Sequence, residues 1–271
     1  MARHPTTVTS LQNERVKLIR SLEMRKARRE TGLFVAEGTS LLVSAREAGF
    51  VPKILVSLMG AQHGDIGRGL VDWALDENAD VLEVGSAVLA KIAAKDNPQT
   101  LMGVFEQRWA QPPDGTSLSN DDVWLALDEV RDPGNLGTII RTVDAVGAKG
   151  VILVGQSCDP YSHECVRATM GSIFAVPLVR LDRPGFVEWA KTWPGDIVGT
   201  HLEGAEDFRK ATPKGPVLLV MGSEGPGMSE EVRAVCTKLV RIPMAGELDS
   251  LNLAVATALA LYQLRGPHLS L

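Results

Sequence analysis

Short apolar runs alternate with stretches of helical period over the first hundred residues. The apolar runs predict strands at residues 33–36, 53–58, 80–84 and 101–106. The helical period predicts helices at residues 39–48, about 70–78 and 86–94, with a Gly-rich loop at residues 60–69. Ser10 is expected to cap one further helix, whose apolar positions run from Leu11 to Leu22. The alternation predicts a small α/β domain over residues 1–106.

Residues 107–121 gather Pro, Gly, Ser and Asp without apolar periodicity and are read as a linker. Beyond it, nearly continuous apolar runs predict strands at residues 124–127, 151–154, 175–179, 197–200, 217–221 and 239–242. Runs of this kind are typical of strands buried on both faces, with helices between most of them. Residues 122–271 are therefore expected to form a second, larger α/β domain with a mostly parallel sheet.

The stretch at residues 241–263 leads from a strand end through a Gly-containing loop into a helix almost without charge. Its apolar part is too short and too Ala-rich for a membrane span, so a helix buried on most faces is expected. Asp249, Ser250 and Asn252 crowd its first turn. Ser and Asp there are ordinary helix caps, but Asn252 lies inside an apolar element and needs a partner. The stretch is therefore predicted to be one wall of a binding site.

Composition indicates a compact globular protein with reduced thiols. Nearly half of the 271 residues are hydrophobic, and no run of about eighteen apolar residues or signal-peptide pattern occurs, so a cytoplasmic protein without a membrane anchor is expected. Three cysteines form no disulfide framework. Cys158, His163 and Cys165 lack a convincing fourth ligand, so no metal site is expected. No Ser-His-Asp or paired-carboxylate pattern stands out.

Charge is distributed unevenly along the chain. The total is −5, whereas residues 1–31 carry eight basic and three acidic residues, a local charge of +5. A basic arm on an acidic body suits a polyanion bound at one end, although a solvated helix face would look the same. Charge alone does not decide between them. The candidate RNA-binding residues in this arm are Arg15, Lys17, Arg25, Lys26, Arg28 and Arg29.

Two more loops that follow predicted strands carry polar groups. In the first, Asp132 and Pro133 predict a helix start and Gly147 its end, and Arg141 falls off the apolar stripe, where it either faces a site or is solvated. The second, M-G-S-E-G-P-G-M-S at residues 221–229, has three glycines that let a ligand approach the backbone. It is neither a Walker loop nor a G-x-G-x-x-G, which disfavours a nicotinamide-dependent oxidoreductase.

Together these stretches resemble the three signature motifs of the SpoU (TrmH-like) RNA ribose 2′-O-methyltransferases of the SPOUT superfamily. The motifs are N-L-G-T-I-I-R at residues 135–141 with Gly147, V-M-G-S-E-G-P-G at residues 220–227, and I-P-M-A-G at residues 242–246 with S-L-N-L-A-V-A-T-A at residues 250–258. The likeness covers residues 125–265, including the stretch at 159–177. The first hundred residues resemble an L30e-like RNA-binding domain, through L-F-V-A-E-G from Leu33 and N-P-Q-T from Asn97.

The resemblance implies a trefoil-knotted second domain, a homodimer packed partly through the last helix, and an RNA-docking role for the first domain and its basic arm. It also implies S-adenosylmethionine as cofactor, with no metal. By position, the residues that match the family's cofactor contacts or lie beside them are Gly222, Gly227, Ile242, Met244 and Leu251.

The family places an arginine against the acceptor ribose, and Arg141 matches it. A guanidinium is effectively always protonated, so binding the RNA phosphate and stabilising the developing alkoxide are as sound a role as acting as base. Asn135, Glu224, Ser250 and Asn252 match the remaining polar positions, although Glu224 could be an exposed loop acid and Asn135 a capping residue. The expected enzyme methylates a ribose 2′-hydroxyl in structured RNA, with ribosomal RNA favoured. A tRNA methyltransferase and a non-catalytic RNA- or ribosome-binding protein are the alternatives.

Overall fold

A computed structural model describes residues 4–93, 98–202, 206–247 and 250–269. The chain divides into two compact units, Met1–Gln107 with Asp159–Ala175, and Arg108–Cys158 with Val176–Leu271. Residues 159–175 thus group with the N-terminal unit although they lie within the sequence of the expected second domain. The sequence-based assignments at Arg3, Ala94, Asn97 and Asp249 lie outside the described residues.

The first unit is built on a five-stranded mixed sheet in the order β1-β4-β3-β5-β2. Strands β1, β4 and β3 are parallel, whereas β5 runs antiparallel to β3 and β2. Its elements up to residue 107 are β1 (Thr6–Val8), α1 (Glu14–Ser21), α2 (Arg25–Thr31), β2 (Leu33–Glu37), α3 (Thr39–Glu47), β3 (Ile54–Leu58), α4 (Asp65–Asp76), β4 (Asp80–Val84), α5 (Ser86–Ala93) and β5 (Leu101–Glu106).

Three details of the first unit differ from the sequence-based expectation. Strand β1 was not predicted, because it is only three residues long and owes its form to pairing with β4. Asn13 rather than Ser10 caps α1, accepting from the Arg15 N–H at 2.9 Å. Helix α4 begins at Asp65, inside the predicted loop, and includes Gly67, where an added Cβ would lie 2.9 Å from His63 Cβ.

The second unit is built on a seven-stranded sheet in which every strand pair is parallel, which agrees with the predicted mostly parallel sheet. The two-residue strand at Glu206–Asp207 was not predicted. The order is β10-β12-β9-β11-β6-β7-β8. The elements from residue 108 onwards are β6 (Val123–Asp128), α6 (Pro133–Ala145), β7 (Val151–Val154), α7 (His163–Ala168, grouped with the first unit), β8 (Leu178–Leu181), α8 (Arg183–Ala190), β9 (Ile197–Thr200), β10 (Glu206–Asp207), β11 (Val217–Met221), α9 (Glu230–Arg233), β12 (Lys238–Arg241) and α10 (Leu253–Arg265).

Strand β8 begins at Leu178, three residues later than predicted. Phe174 explains the delay, because its ring packs within the first unit, at centroid distances of 5.0 Å from Phe50 and 5.2 Å from Phe105. The apolar run there therefore serves another core. The predicted linker also has structure of its own in the second unit, where the Ala110 N–H donates to the Leu178 carbonyl at 2.8 Å.

Helix α10 is buried on one face only in the isolated chain. Leu253, Ala254, Thr257, Ala260 and Leu261 are buried. Val255, Leu259 and Tyr262 are 50%, 43% and 51% exposed and form an apolar stripe along the opposite face. The expectation of burial on most faces is therefore wrong for a single chain. No described helix, α10 included, is long and apolar enough to cross a membrane.

Candidate active site

The three motif-bearing loops leave the sheet of the second unit at its carboxyl edge. Strands β6 and β11 are parallel neighbours, with Leu127 opposite Met221, so Asp128 and Gly222 continue from the same edge. In open parallel sheets this edge is where ligands bind. The loop of residues 222–228, called here the glycine loop, follows β11, and the stretch leading to α10 follows β12.

A hydrogen-bonded network of Asn252, Asn135 and Glu224 connects the three motifs. The Asn252 Nδ2 donates to Asn135 Oδ1 at 3.0 Å, and Asn135 Nδ2 donates to Glu224 Oε1 at 2.8 Å. Asn252 Oδ1 meanwhile caps α10 by accepting from Ala254 N at 2.9 Å. Because the cap uses the oxygen of Asn252, its NH₂ group must face Asn135, and this sets the direction of both bonds. The predicted partner of Asn252 is thus Asn135.

Asn135 and Glu224 are held from their own loops as well. Asp132 caps α6 by accepting from the Asn135 N–H at 2.6 Å, so the backbone and the side chain of Asn135 are both fixed. Glu224 lies exposed in the glycine loop. The hydrogen bond from Asn135 therefore fixes the position of this exposed carboxylate. Asn135 is therefore more than a capping residue, and Glu224 is more than an unbonded loop acid.

The glycine loop closes tightly on itself. Ser223 and Gly227 exchange backbone hydrogen bonds of 3.1 and 3.2 Å, and Gly227 has a φ of +74°, which favours glycine. A Cβ at Gly222 would lie 2.2 Å from Gly227 C and from Met228 N. No side chain fits there, whereas a Cβ at Gly225 would meet nothing. The loop shape thus depends on glycine at specific positions.

A cavity of about 350 Å³ lies between the glycine loop, the ends of β9 and β12, and the start of α10. All five predicted cofactor residues line it, together with Glu224 and Ser250: Gly222, Gly227, Ile242, Met244 and Leu251. The sequence analysis missed residues 200–202, which also line it. Their signal was their position at the end of β9, which lies between β11 and β12 in the sheet.

The lining of this cavity suits a ligand with one apolar part and charges of both signs. Met221, Ile242 and Leu253 offer apolar surface, whereas Glu224 and Arg241 bring opposite charges. Bare backbone at Gly222 and Gly227 lets a ligand contact peptide groups directly. The volume lies at the lower end of the usual range for small-molecule sites, which is roughly 300–1,000 Å³. S-adenosylmethionine, a flat aromatic base joined through a ribose to a charged amino-acid chain, fits this set of residues.

Arg141 lies apart from the network. It is exposed on α6, as predicted from its position off the apolar stripe, and it makes no hydrogen bond or ion pair with another described residue. Six residues separate it from Asn135, which places it roughly 120° around the helix axis. Ser250 is exposed at the cavity wall. Within the described part of the chain it makes no hydrogen bond to Asn252, Asn135 or Glu224. The guanidinium of Arg141 is therefore available to a ligand.

The basic arm contains one residue that cannot serve RNA binding. Arg28 is 4% exposed, and its Nε donates to Asp159 Oδ2 at 2.8 Å while Nη1 donates to the Leu22 and Glu23 carbonyls at 2.7 Å. The assignment of Arg28 as an RNA contact is wrong, because a guanidinium that is buried and paired with Asp159 has no access to a phosphate. Arg25, Lys26 and Arg29 of α2 are exposed.

The other two candidates in the arm already pair with acids on the surface. Lys17 contacts Glu14 at 2.8 Å, and Arg15 pairs with Asp80, with all four side chains substantially exposed. Exposed pairs of this kind contribute little and break readily, so they leave both cations available to a stronger anion. Among the described residues, no group of three or more His, Cys, Asp or Glu side chains could hold a metal ion. The three cysteines form no disulfide.

Two family models match successive parts of the chain. A model described as the SpoU rRNA Methylase family matches residues 122–262, and an MRM3-like substrate binding domain model matches residues 13–103. The 23S rRNA (guanosine(2553)-2′-O)-methyltransferase RlmP of Bacillus subtilis is 30% identical over 96% of this chain and 99% of its own. The 23S rRNA (uridine(2479)-2′-O)-methyltransferase of Streptomyces viridochromogenes is 32% identical over 88% and 84%. The crystal structure of an AdoMet-bound rRNA methyltransferase from Sinorhizobium meliloti shares 43% identity and a TM-score of 0.87, over 98% of this chain and 99% of that one.

Proposed function

Because the chain belongs to the SpoU rRNA methylase family, we propose that it transfers a methyl group from S-adenosylmethionine to a ribose 2′-hydroxyl of structured RNA, with ribosomal RNA as its substrate class. The observation that carries the proposal is the Asn252–Asn135–Glu224 network beside a cavity lined by all five predicted cofactor residues. Two relatives that share most of its length are named for this reaction on 23S rRNA. A ribosomal RNA substrate would place the protein in the cytoplasm.

The cavity beside the glycine loop is proposed to hold the cofactor, which supplies a methyl group on a sulfonium centre. The backbone of Gly222 and Gly227 and the apolar side chains of Ile242, Met244 and Leu251 bind it. Glu224 brings a negative charge to the same cavity, where a positively charged sulfonium is favoured. No metal is needed, because the thioether leaves as a neutral group.

Arg141 is proposed to bind the acceptor RNA. Its free guanidinium suits a phosphate beside the target ribose and, as the hydroxyl loses its proton, the developing alkoxide. Asn135, Ser250 and Asn252 orient the ribose from the other side. The role of these residues is geometric, since an oxygen that attacks in line must be held close to the methyl carbon.

The exposed cations of α1 and α2 are proposed as the RNA-docking surface: Arg15, Lys17, Arg20, Arg25, Lys26 and Arg29. Removal of residues 1–31 is not a clean test, because α1 contributes buried apolar side chains to the core of the first unit. Point substitution is cleaner. Arg25→Ala with Arg29→Ala is expected to weaken RNA binding and to flatten its salt dependence, because each phosphate contact releases counterions. Unchanged RNA affinity in a filter-binding titration would reduce the arm to a solvated helix face.

A homodimer and a trefoil knot, both typical of the family, are part of the proposal. The apolar stripe of α10 at Val255, Leu259 and Tyr262 supports the dimer, because exposed apolar residues in one continuous row usually mark an interface. Light scattering after size exclusion measures the assembly directly. The knot is proposed on family membership.

The deciding experiment incubates the protein with labelled S-adenosylmethionine and total RNA from a strain that lacks it, then maps the modified ribose. Label in ribosomal RNA alone is expected, whereas label in tRNA would favour the alternative substrate. If no label is transferred and calorimetry detects no cofactor binding, the enzyme proposal is wrong and a non-catalytic RNA-binding protein replaces it. An Arg141→Ala protein with full activity would refute only the assignment of Arg141.

A further inference from the structure

Asp128, the last residue of β6, is a buried carboxylate outside the motif residues already described. It is 2% exposed. Its Oδ2 accepts two hydrogen bonds of 2.7 Å from one residue, the backbone N–H and the hydroxyl of Ser229. A buried acid that makes two charge-assisted bonds to a single residue holds that residue firmly in place.

Ser229 directly follows the glycine loop. It occupies the position before α9, where a serine side chain ordinarily caps the helix, yet its hydroxyl makes no capping bond. The hydroxyl points back to Asp128 instead. Its side chain is therefore used to fasten the loop to β6 and not to start the helix.

The two ends of the glycine loop are thus held by different means. Its upstream end leaves the sheet at Met221, which pairs with Leu127 of β6. Its downstream end is held by Asp128, the residue that follows Leu127. Both anchors therefore lie at the end of one strand, and Glu224 lies between them in the loop.

The negative charge of Asp128 is compensated from α8. Arg183 Nη2 lies 3.5 Å from Asp128 Oδ1 and 2.7 Å from Glu129 Oε1. Asp128 Oδ1 itself is buried and has no hydrogen-bond partner among the described residues. A buried carboxylate that leaves one oxygen without a bond is costly for stability alone. Its two hydrogen bonds are both at Oδ2, the oxygen that holds Ser229.

We infer that Asp128 is a positioning residue for methyl transfer, which fixes the downstream end of the glycine loop and thereby sets Glu224 and one wall of the cofactor cavity. The effect on cofactor binding and turnover rests on the proposed function. The anchoring of the loop does not, since it follows from the contacts of Asp128 and Ser229.

The first test measures hydrogen exchange of residues 222–229 in the cofactor-free protein. Asp128→Ala and the milder Ser229→Ala are expected to speed exchange of these amides about tenfold or more, because a charge-assisted bond is lost in each. Ser229→Thr keeps the hydroxyl and is expected to behave like the wild type. If Asp128→Ala fails to fold, the comparison of Ser229→Ala with Ser229→Thr decides the outcome.

Asp122→Ala serves as the matched control. Asp122 directly precedes β6 and accepts from the Ser119 N–H at 3.0 Å, far along the strand from the glycine loop. Its loss should lower the melting temperature without changing exchange at residues 222–229. The inference is overturned if the Asp128 and Ser229 variants also lower the melting temperature without changing exchange at residues 222–229.

The second test measures the dissociation constant of S-adenosylmethionine by calorimetry, together with kcat and KM. Asp128→Ala and Ser229→Ala are expected to weaken cofactor binding about tenfold and to lower kcat, with KM for RNA unchanged. Faster exchange with wild-type affinity would show that the anchor is structural only and would overturn the positioning role. If the wild type binds no cofactor, the proposed function fails, while hydrogen exchange still decides the anchoring.

Discussion

Removing the Asn135 side chain tests whether the Asn252–Asn135–Glu224 network acts as a unit. Asn135→Ala deletes the acceptor for Asn252 and the donor to Glu224 at once. The backbone N–H that bonds Asp132 remains, so the cap of α6 is kept. The substitution thus removes the centre of the network while leaving both neighbouring loops their local bonds.

The expected loss of stability is small. A bond to a charged acceptor contributes about 1.5–3 kcal/mol and a neutral bond about 0.5–1.5 kcal/mol when buried. Glu224 is exposed and Asn135 is only half-buried, so water compensates for most of the lost hydrogen-bond energy. The expected loss in the free energy of unfolding is therefore about 1 kcal/mol. For a unit of this size that corresponds to a fall in melting temperature of about 2–4 °C.

The expected loss of activity is much larger. Misplacing a group that orients the reacting atoms costs about 10²-fold in rate, equivalent to about 2.7 kcal/mol. Single-turnover methylation with labelled cofactor measures this step apart from product release. Asn135→Ala should therefore lower the single-turnover rate far more than its effect on stability would suggest.

A double-mutant cycle with Glu224→Ala supplies the refutation. If Asn135 acts by holding Glu224, the double variant should be little slower than either single variant, because the second substitution removes nothing further. Losses that multiply to about 10⁴-fold would show two independent roles and would refute the reasoning. Additive free-energy losses of that kind mean zero coupling, so the contact between the two residues would have no functional meaning.

Three further outcomes are expected. Gly222→Ala should abolish cofactor binding in calorimetry, since its Cβ would lie 2.2 Å from Gly227 C, whereas Gly225→Ala has open space and should bind normally. Leu259→Glu in the apolar stripe should give a monomer by light scattering, whereas Ile66→Glu, an exposed substitution in the first unit, should not change the assembly. Burial raises the pKa of the Cys236 thiol to about 12, so alkylation followed by mass spectrometry should leave it unmodified at pH 8, and its contribution to stability should be lost as the pH rises from 9 towards 12.

Local pattern was enough for most strands of the second unit. Strands β7, β9 and β11 have the predicted bounds, because each is a short, mainly apolar and mostly buried run that needs no partner-specific information. Pattern failed where a distant contact decides the local form. Strand β1 exists only through pairing with β4, and Phe174 interrupts an apolar run by packing in another core.

The residues of the site could be predicted from the sequence, but the hydrogen bonds between them could not. Motif positions identified Asn135, Glu224 and Asn252, yet the bond between Asn252 and Asn135 spans 117 residues of sequence. Which amide donates depends on the cap of α10, a detail without a sequence signal. Charge pattern likewise could not separate Arg28 from Arg29, because burial and the contact with Asp159 depend on a segment more than a hundred residues away.

The two side-chain contacts of Asn252 limit which amino acids can occupy position 252. One of its side-chain atoms starts a helix, and the other passes a hydrogen bond into the active site. Aspartate could cap but could not donate, serine has a single oxygen for both tasks, and glutamine is one methylene too long for the cap. In a saturation library selected for methylation, position 252 should therefore return asparagine alone, while a screen for folding should also accept aspartate and serine.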